Sequence, residues 1–190
     1  MARAKKPQPT LDSIFFSTPE QKVIRFLLSE PTTAFTPRVI SSKLKGVRGL
    51  GGVEGITKIL KQLQELHMVD FVDNERSVRV HDDNSVVQIL KTFGAICDLE
   101  GLKLQLEPIC ARGILFGSRA TGKARSDSDY DLFVVTEQID EAKRIAAQHP
   151  MGKLIEIVAY NRDQWDELEQ KDAAFLKKLQ SGIVLWGPSW

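Results

Sequence analysis

Only two cysteines and three histidines occur in 190 residues, which argues against thiolate or imidazole metal centres and against a histidine-based triad. Cys97 and Cys110 stand at no metal-binding spacing, and in a reducing compartment they are expected to be small core residues. His67, His81 and His149 are too scattered to form a site together. No apolar run is long enough to span a bilayer, and the N-terminus lacks the hydrophobic stretch of a signal peptide. A cytoplasmic protein without membrane contact is therefore expected. The formal net charge of +1 excludes a strongly cationic protein, so any nucleic-acid surface must be local. No internal repeat is visible, and Trp165, Trp186 and Trp190 read as packing residues rather than nucleotide platforms. What is present is an ordinary globular composition, 42% hydrophobic and 27% charged, enough for one modest core in each of two domains.

The most informative stretch runs from Gly117 to Leu132. Before it, Gly113-Ile114-Leu115-Phe116 is apolar and reads as a buried strand, so Gly117-Ser118 marks the turn from that strand into a helix. Glycine there lets a phosphate approach the backbone. Free N–H groups at such a turn, with the Ser118 hydroxyl and the Arg119 guanidinium beside them, would make a polyphosphate seat. Ser118 is also a candidate N-cap. Lys123 and Arg125 read as loop charges, and Asp127 as a turn-capping residue.

Ten residues separate Ser118 from Asp129, and Asp129 and Asp131 stand two apart as a second strand, Asp131-Leu132-Phe133-Val134-Val135, begins. Both side chains then leave the same face. Two such carboxylates repel and raise each other's pKa unless a cation joins them. Magnesium is the natural cation, since it prefers hard oxygen ligands and is commonly held by one or two carboxylates plus substrate phosphates.

Gly-Ser, ten residues, then Asp-hydrophobic-Asp-hydrophobic resembles the signature of the minimal nucleotidyltransferases of the DNA polymerase β superfamily. Relatives include aminoglycoside nucleotidyltransferases, CCA-adding enzymes and the nucleotidyltransferase partners of toxin–antitoxin pairs. The resemblance continues through Leu154-Ile155-Glu156-Ile157-Val158, Gln164 to Leu168, Asp172 to Leu176 and Gly182 to Gly187, covering roughly residues 110–190. It implies an α+β domain with a mixed sheet and flanking helices. It also implies two Mg2+ ions, with Mn2+ as a substitute, and an NTP as substrate. Asp129, Asp131 and Glu156 would be the catalytic, metal-binding carboxylates, and Gly117, Ser118 and Arg119 the nucleotide-binding residues. At Glu156 the family usually carries aspartate. Glutamate keeps the charge and adds a methylene, which displaces its oxygens relative to magnesium's narrow geometry. Alternation puts Glu156 on one strand face with Leu154 and Val158, where a buried charge would need a partner.

The first half of the chain differs in character. A basic, proline-containing arm with Arg3, Lys5 and Lys6 is expected to be flexible over residues 1–16. Ser17-Thr18-Pro19-Glu20 then reads as a helix start, and Thr36-Pro37 as a second. Val53, Ile56, Ile59, Leu60, Leu63 and Leu66 mark a third helix. Met68 to Val72 and Ser77 to His81, around a turn at Asp73-Asn74-Glu75-Arg76, read as a hairpin. Three helices and a hairpin in that order, over residues 17–83, resemble a winged helix-turn-helix domain. In that fold the third helix would enter a major groove. Arg38, Lys43, Lys45, Arg48, Lys58 and Lys61 stand against Glu54 alone, a local basic surplus suited to the phosphates of duplex DNA. Protein docking or dimerisation is the competing use of such a module.

A long apolar-rich helix ended by Pro108 follows and opens the second domain, residues 84–190, with its leading helix at 84–107. It suits packing under the sheet or a homodimer contact. Together these features lead to an expected transfer of a nucleoside monophosphate, most simply AMP from ATP, to an acceptor hydroxyl with release of pyrophosphate. The acceptor would be a partner protein, an RNA end or a small molecule. The alternatives are a nucleotide-sensing, DNA-binding transcriptional regulator and one half of a toxin–antitoxin pair.

Overall fold

The computed structural model describes residues 9–189, so the start of the basic arm and Trp190 lie outside the described residues. The first helix, α1 (Leu11–Phe15), falls where the sequence predicts a flexible arm, and the arm is corrected from Thr10 onward. Thr10 and Ser13 cap each other reciprocally, which satisfies amide groups that a helix start leaves open. The Leu11 amide donates to Glu100 at 2.9 Å, and Phe15 meets Phe93 edge-on with centroids 5.1 Å apart. Phe16, next in sequence, is buried. These long-range anchors have no local sequence signal.

Three helices and a hairpin follow in the expected order: α2 (Pro19–Ser29), α3 (Pro37–Lys43), α4 (Gly52–Glu65), β1 (Val69–Val72) and β2 (Ser77–Val80). Thr18 and Thr36 cap α2 and α3, each followed by a proline at the first helical position. The hairpin is antiparallel, with Val69 opposite Val80 and Val72 opposite Ser77. Phe35, between α2 and α3, adds a further antiparallel bridge to Val78, giving and receiving one hydrogen bond. Val23, Leu27, Ile40, Ile56, Leu60 and Val78 form the centre of the first core.

The long helix α5 (Ser85–Leu106) starts on Asn84, whose side chain accepts from the amides of Val86 and Val87. It serves both halves. Val87 and Leu90 pack into the first core, whereas Ala95, Leu99, Leu102 and Leu106 pack into a second.

The second half contains β3 (Arg112–Phe116), α6 (Gly117–Ala120), β4 (Tyr130–Val135), α7 (Ile139–Gln148), β5 (Ile155–Tyr160), the short helices α8 (Arg162–Asp166) and α9 (Leu168–Lys171), α10 (Ala173–Gln180) and β6 (Ile183–Trp186). The four strands lie in the order β5-β4-β3-β6. β4 and β5 run parallel, joined by the crossover helix α7, while β3 is antiparallel to both of its neighbours. Alternation sends Leu132 and Val134 to the face covered by α5 and α7, and Phe133 and Val135 to the face covered by Leu168, Phe175 and Leu179. The Trp186 indole donates to the Cys110 carbonyl at 3.0 Å, and Trp165 stacks near Phe133, so both act in packing. Cys97 and Cys110 are buried and free, and burial pushes both thiols up, Cys97 to about 11. Among the described residues no helix is long and apolar enough to cross a membrane.

Leu102 is wholly buried where α5 meets the sheet. Leu102→Ala should lower unfolding free energy in urea titrations by about 2–5 kcal/mol, the range for a leucine deleted from a packed core.

Candidate active site

The site forms where β3 ends and β4 begins. Phe116 is opposite Asp131 in the antiparallel register, so the chain leaving β3 turns directly over that aspartate. Gly117 makes the turn with φ at +69°, and a Cβ built there would stand 2.0 Å from Asp131 Oδ2. Positive φ and the close carboxylate both select glycine. α6 starts from Phe116 with no side chain capping it, so Ser118 lies inside the turn and does not act as its N-cap. The Ser118 carbonyl instead accepts from the Lys123 amide at 3.0 Å and the Thr121 hydroxyl at 3.2 Å, closing the turn from the far side.

Asp131 and Glu156 are register partners on the parallel strands β4 and β5, and Asp129 lies two residues before Asp131. Burial, followed by the negative charges of Glu156 and Asp129, raises the Asp131 carboxyl above its ordinary value, and a backbone hydrogen bond and Lys178 offset only part of this. The structure thus brings the three expected carboxylates within electrostatic reach of one another. Among the described residues, however, no three acidic, histidine or cysteine side chains are drawn together tightly enough to enclose an ion. Glu156 is exposed, on the edge strand of the sheet. A buried charge in need of a partner, the concern raised by its apolar flanks, does not arise.

Arg119 is engaged with the loop that follows. Its guanidinium donates to the Ser128 carbonyl at 2.6 Å and lies over the Tyr130 ring, 4.1 Å from the centroid. The same loop is tightened by Ser128, whose hydroxyl accepts from the Arg125 amide at 2.8 Å. Ser128 therefore performs the turn-capping expected of Asp127.

Tyr130, between the two aspartates, points to the opposite face, and its hydroxyl donates to Asp98 at 2.7 Å. Asp98 also pairs with Arg25 of α2 at 2.5 Å, and Arg25 reaches on to Asp12 at 2.9 Å. Burial works against the Arg25 charge, but Asp98 and Asp12 outweigh it and raise its pKa. Sequence reasoning missed this chain of contacts, whose members are far apart along the polypeptide. A tyrosine between two aspartates on the apolar face of a strand is the one signal it left.

Arg38 and Lys43 lie on α3, Lys45 and Arg48 in the connection that follows, and Lys58 and Lys61 on α4. All six are exposed.

Residues 104–188 match the family model described as Polymerase beta, Nucleotidyltransferase. Over this segment the chain is similar to the nucleotidyltransferases of that family. A solved structure of a protein from Sulfolobus solfataricus, provisionally named a nucleotidyltransferase, is similar over 55% of this chain and 91% of that chain, with 14% identity and a TM-score of 0.36. No curated protein matches the chain. The nucleotidyltransferase match contains Gly117, Ser118, Arg119, Asp129, Asp131 and Glu156, whereas α1 to α4, the hairpin and most of α5 lie outside it.

A carboxyl whose pKa is raised on folding holds its proton more tightly in the folded than in the unfolded chain. Its ionisation therefore costs stability as pH rises through that raised value. Asp131→Asn cannot ionise. It should melt at a higher temperature than the wild type at about pH 7, and the gap should close as pH falls below the ordinary aspartate pKa of about 3.9. Equal melting temperatures at neutral pH would show that burial and the neighbouring carboxylates do not disfavour ionisation of Asp131.

Proposed function

We propose that the protein is a Mg2+-dependent nucleotidyltransferase that moves a nucleoside monophosphate, most simply AMP from ATP, to an acceptor hydroxyl. The observation that carries this reading is the Asp131–Glu156 register beneath Gly117, with Asp131 raised by burial and by its acidic neighbours. Carboxylates placed so that they disfavour one another's ionisation, with hard oxygen donors, fit a divalent cation. Asp129, Asp131 and Glu156 would hold it. When bound, Mg2+ supplies charge neutralisation at the phosphates and acidifies an oxygen it touches.

The chain's own residues perform the remaining tasks. The backbone at Gly117 and Ser118 would face the β- and γ-phosphates, and glycine at 117 lets that turn lie directly against Asp131, where a Cβ would stand 2.0 Å from the carboxylate. Arg119 orders the loop carrying Asp129 through Ser128 and Tyr130, so its role in this reading is positioning. Glu156, exposed on the edge strand, is open to the acceptor and takes the hydroxyl proton. The acceptor oxygen then bonds to the α-phosphorus as the bond to pyrophosphate breaks, and pyrophosphate leaves. Positioning and charge stabilisation provide the acceleration.

The N-terminal helices and hairpin are proposed to be a winged helix that contacts duplex DNA through Arg38, Lys43, Lys45, Arg48, Lys58 and Lys61. Their shared exposure supports this use. A second reading, a nucleotide-sensing regulator with little turnover, draws on the exposed glutamate at 156 and the loosely assembled carboxylates.

Transfer of label from α-32P NTPs into a lysate separates the two readings. Discrete labelling should fall by about 100-fold or more in Asp129→Asn and Asp131→Asn, as for loss of a key charge-stabilising group. Mg2+ should raise the wild-type melting temperature and leave that of Asp131→Asn unchanged. Nucleotide binding without label transfer would favour the regulator.

A further inference from the structure

The hairpin and the loop between α6 and β4 face each other across an open cleft of about 520 Å³ whose lining includes none of Gly117, Ser118, Asp129, Asp131 and Glu156. Arg79 of β2 lies on one wall, Lys123 and Arg125 on the other, with Thr32 between them. The walls are held at a fixed separation. Thr32 and Ser126 share a hydrogen bond of 2.9 Å, the Thr92 hydroxyl donates to the Ala120 carbonyl at 3.3 Å, and Gly122 lies so close to α5 that a Cβ would meet the Gln88 carbonyl oxygen at 2.2 Å.

Several charges in the cleft are already committed. Asp70 is paired with His81 at 2.9 Å, and Asp82 with Lys91 at 2.5 Å. Arg79, Lys123 and Arg125 remain, all exposed, with Asp83 as their acidic counterpart. With Asp70 and Asp82 paired, three cationic side chains face one unpaired carboxylate, Asp83. Arginine forks match phosphate oxygens. Asp83 can accept from sugar hydroxyls or base amino groups, which an acidic peptide side chain does not offer.

We infer that this cleft binds a single-stranded nucleic acid, with Arg79, Lys123 and Arg125 on its phosphates. The volume is that of a small-ligand pocket, so a nucleotide or two of one strand enters and a duplex does not. Among the described residues no Phe, Tyr or Trp lines the cleft and the His81 ring is tied to Asp70, so recognition is of the backbone and tolerant of sequence. A strand held here runs beside the loop that ends at Asp129. The site is distinct from the six basic residues of α3, α4 and their connection.

The test is equilibrium binding of a short labelled single strand to the full chain in EDTA without NTP, so that failure of catalysis does not affect the result. Arg79→Ala/Lys123→Ala/Arg125→Ala should weaken binding by about 10-fold or more at low salt and reduce the slope of log K against log salt by about 2, the value for three lost phosphate contacts on a single strand. Asp83→Asn should strengthen binding, and duplex DNA binding should be unchanged in both variants. The inference is overturned if the wild type does not bind, if the triple variant keeps the wild-type affinity and slope, or if duplex binding falls in parallel. Displacement by equimolar pyrophosphate, or equal affinity for an acidic peptide of matched charge, would also overturn it.

Discussion

Asp98 joins the two halves of the protein. It stands on α5, which enters both cores, and accepts from Arg25 on one side and from the Tyr130 hydroxyl on the other. Tyr130 is the first residue of β4, flanked by Asp129 and Asp131, and its ring supports the guanidinium that orders the loop. The position of the carboxylates thus depends on a contact reaching back to α2. Hydrogen bonds to a charged group contribute more than neutral ones, about 1.5–3 kcal/mol each where they are well protected. Partial exposure of Asp98 places this one below the upper end. Loss of the Asp98 carboxylate would release Tyr130 and Arg25 together, so its effect would appear at both the site and the helix packing.

The site itself is unfavourable to folding. Asp131 is half-buried beside two other acids and against a backbone turn that leaves no room for a β-carbon. Such local conflict is tolerated when the surrounding structure over-determines it. Here the support is the sheet, with Leu132, Phe133 and Val134 fully buried directly after Asp131, and the clamp of Arg119 on Ser128 and Tyr130.

The parts of this architecture that were legible in the sequence are those encoded locally. Thr18-Pro19 and Thr36-Pro37 place helix starts because a cap and a proline act within one turn. Gly117-Ser118 and Asp129 to Asp131 are visible because a strand, a tight turn and a second strand must follow in that spacing. Glu156 could be aligned with Asp131 only through the family resemblance, since nothing local fixes a parallel register across a crossover helix. The docking of α1, the Asp98 contacts and the cleft between hairpin and loop were not legible. Each depends on residues brought together from distant parts of the chain, and their polar side chains look solvated when read singly.

Glutamate at position 156 gains its meaning from where it stands. In a central strand, the added methylene would push a charge into packed neighbours and demand backbone adjustment. β5 is the edge of the sheet, and Glu156 is exposed there with Asp131 as its lateral partner. The longer side chain can therefore take up its extra length in solvent and still bring its oxygens toward Asp131 when a cation offsets their mutual repulsion. Without that cation, electrostatics favours the opposite rotation. In the proposed reaction the same side chain would suit a site whose third ligand engages only once nucleotide and metal are in place, so that assembly of the carboxylates would follow substrate binding.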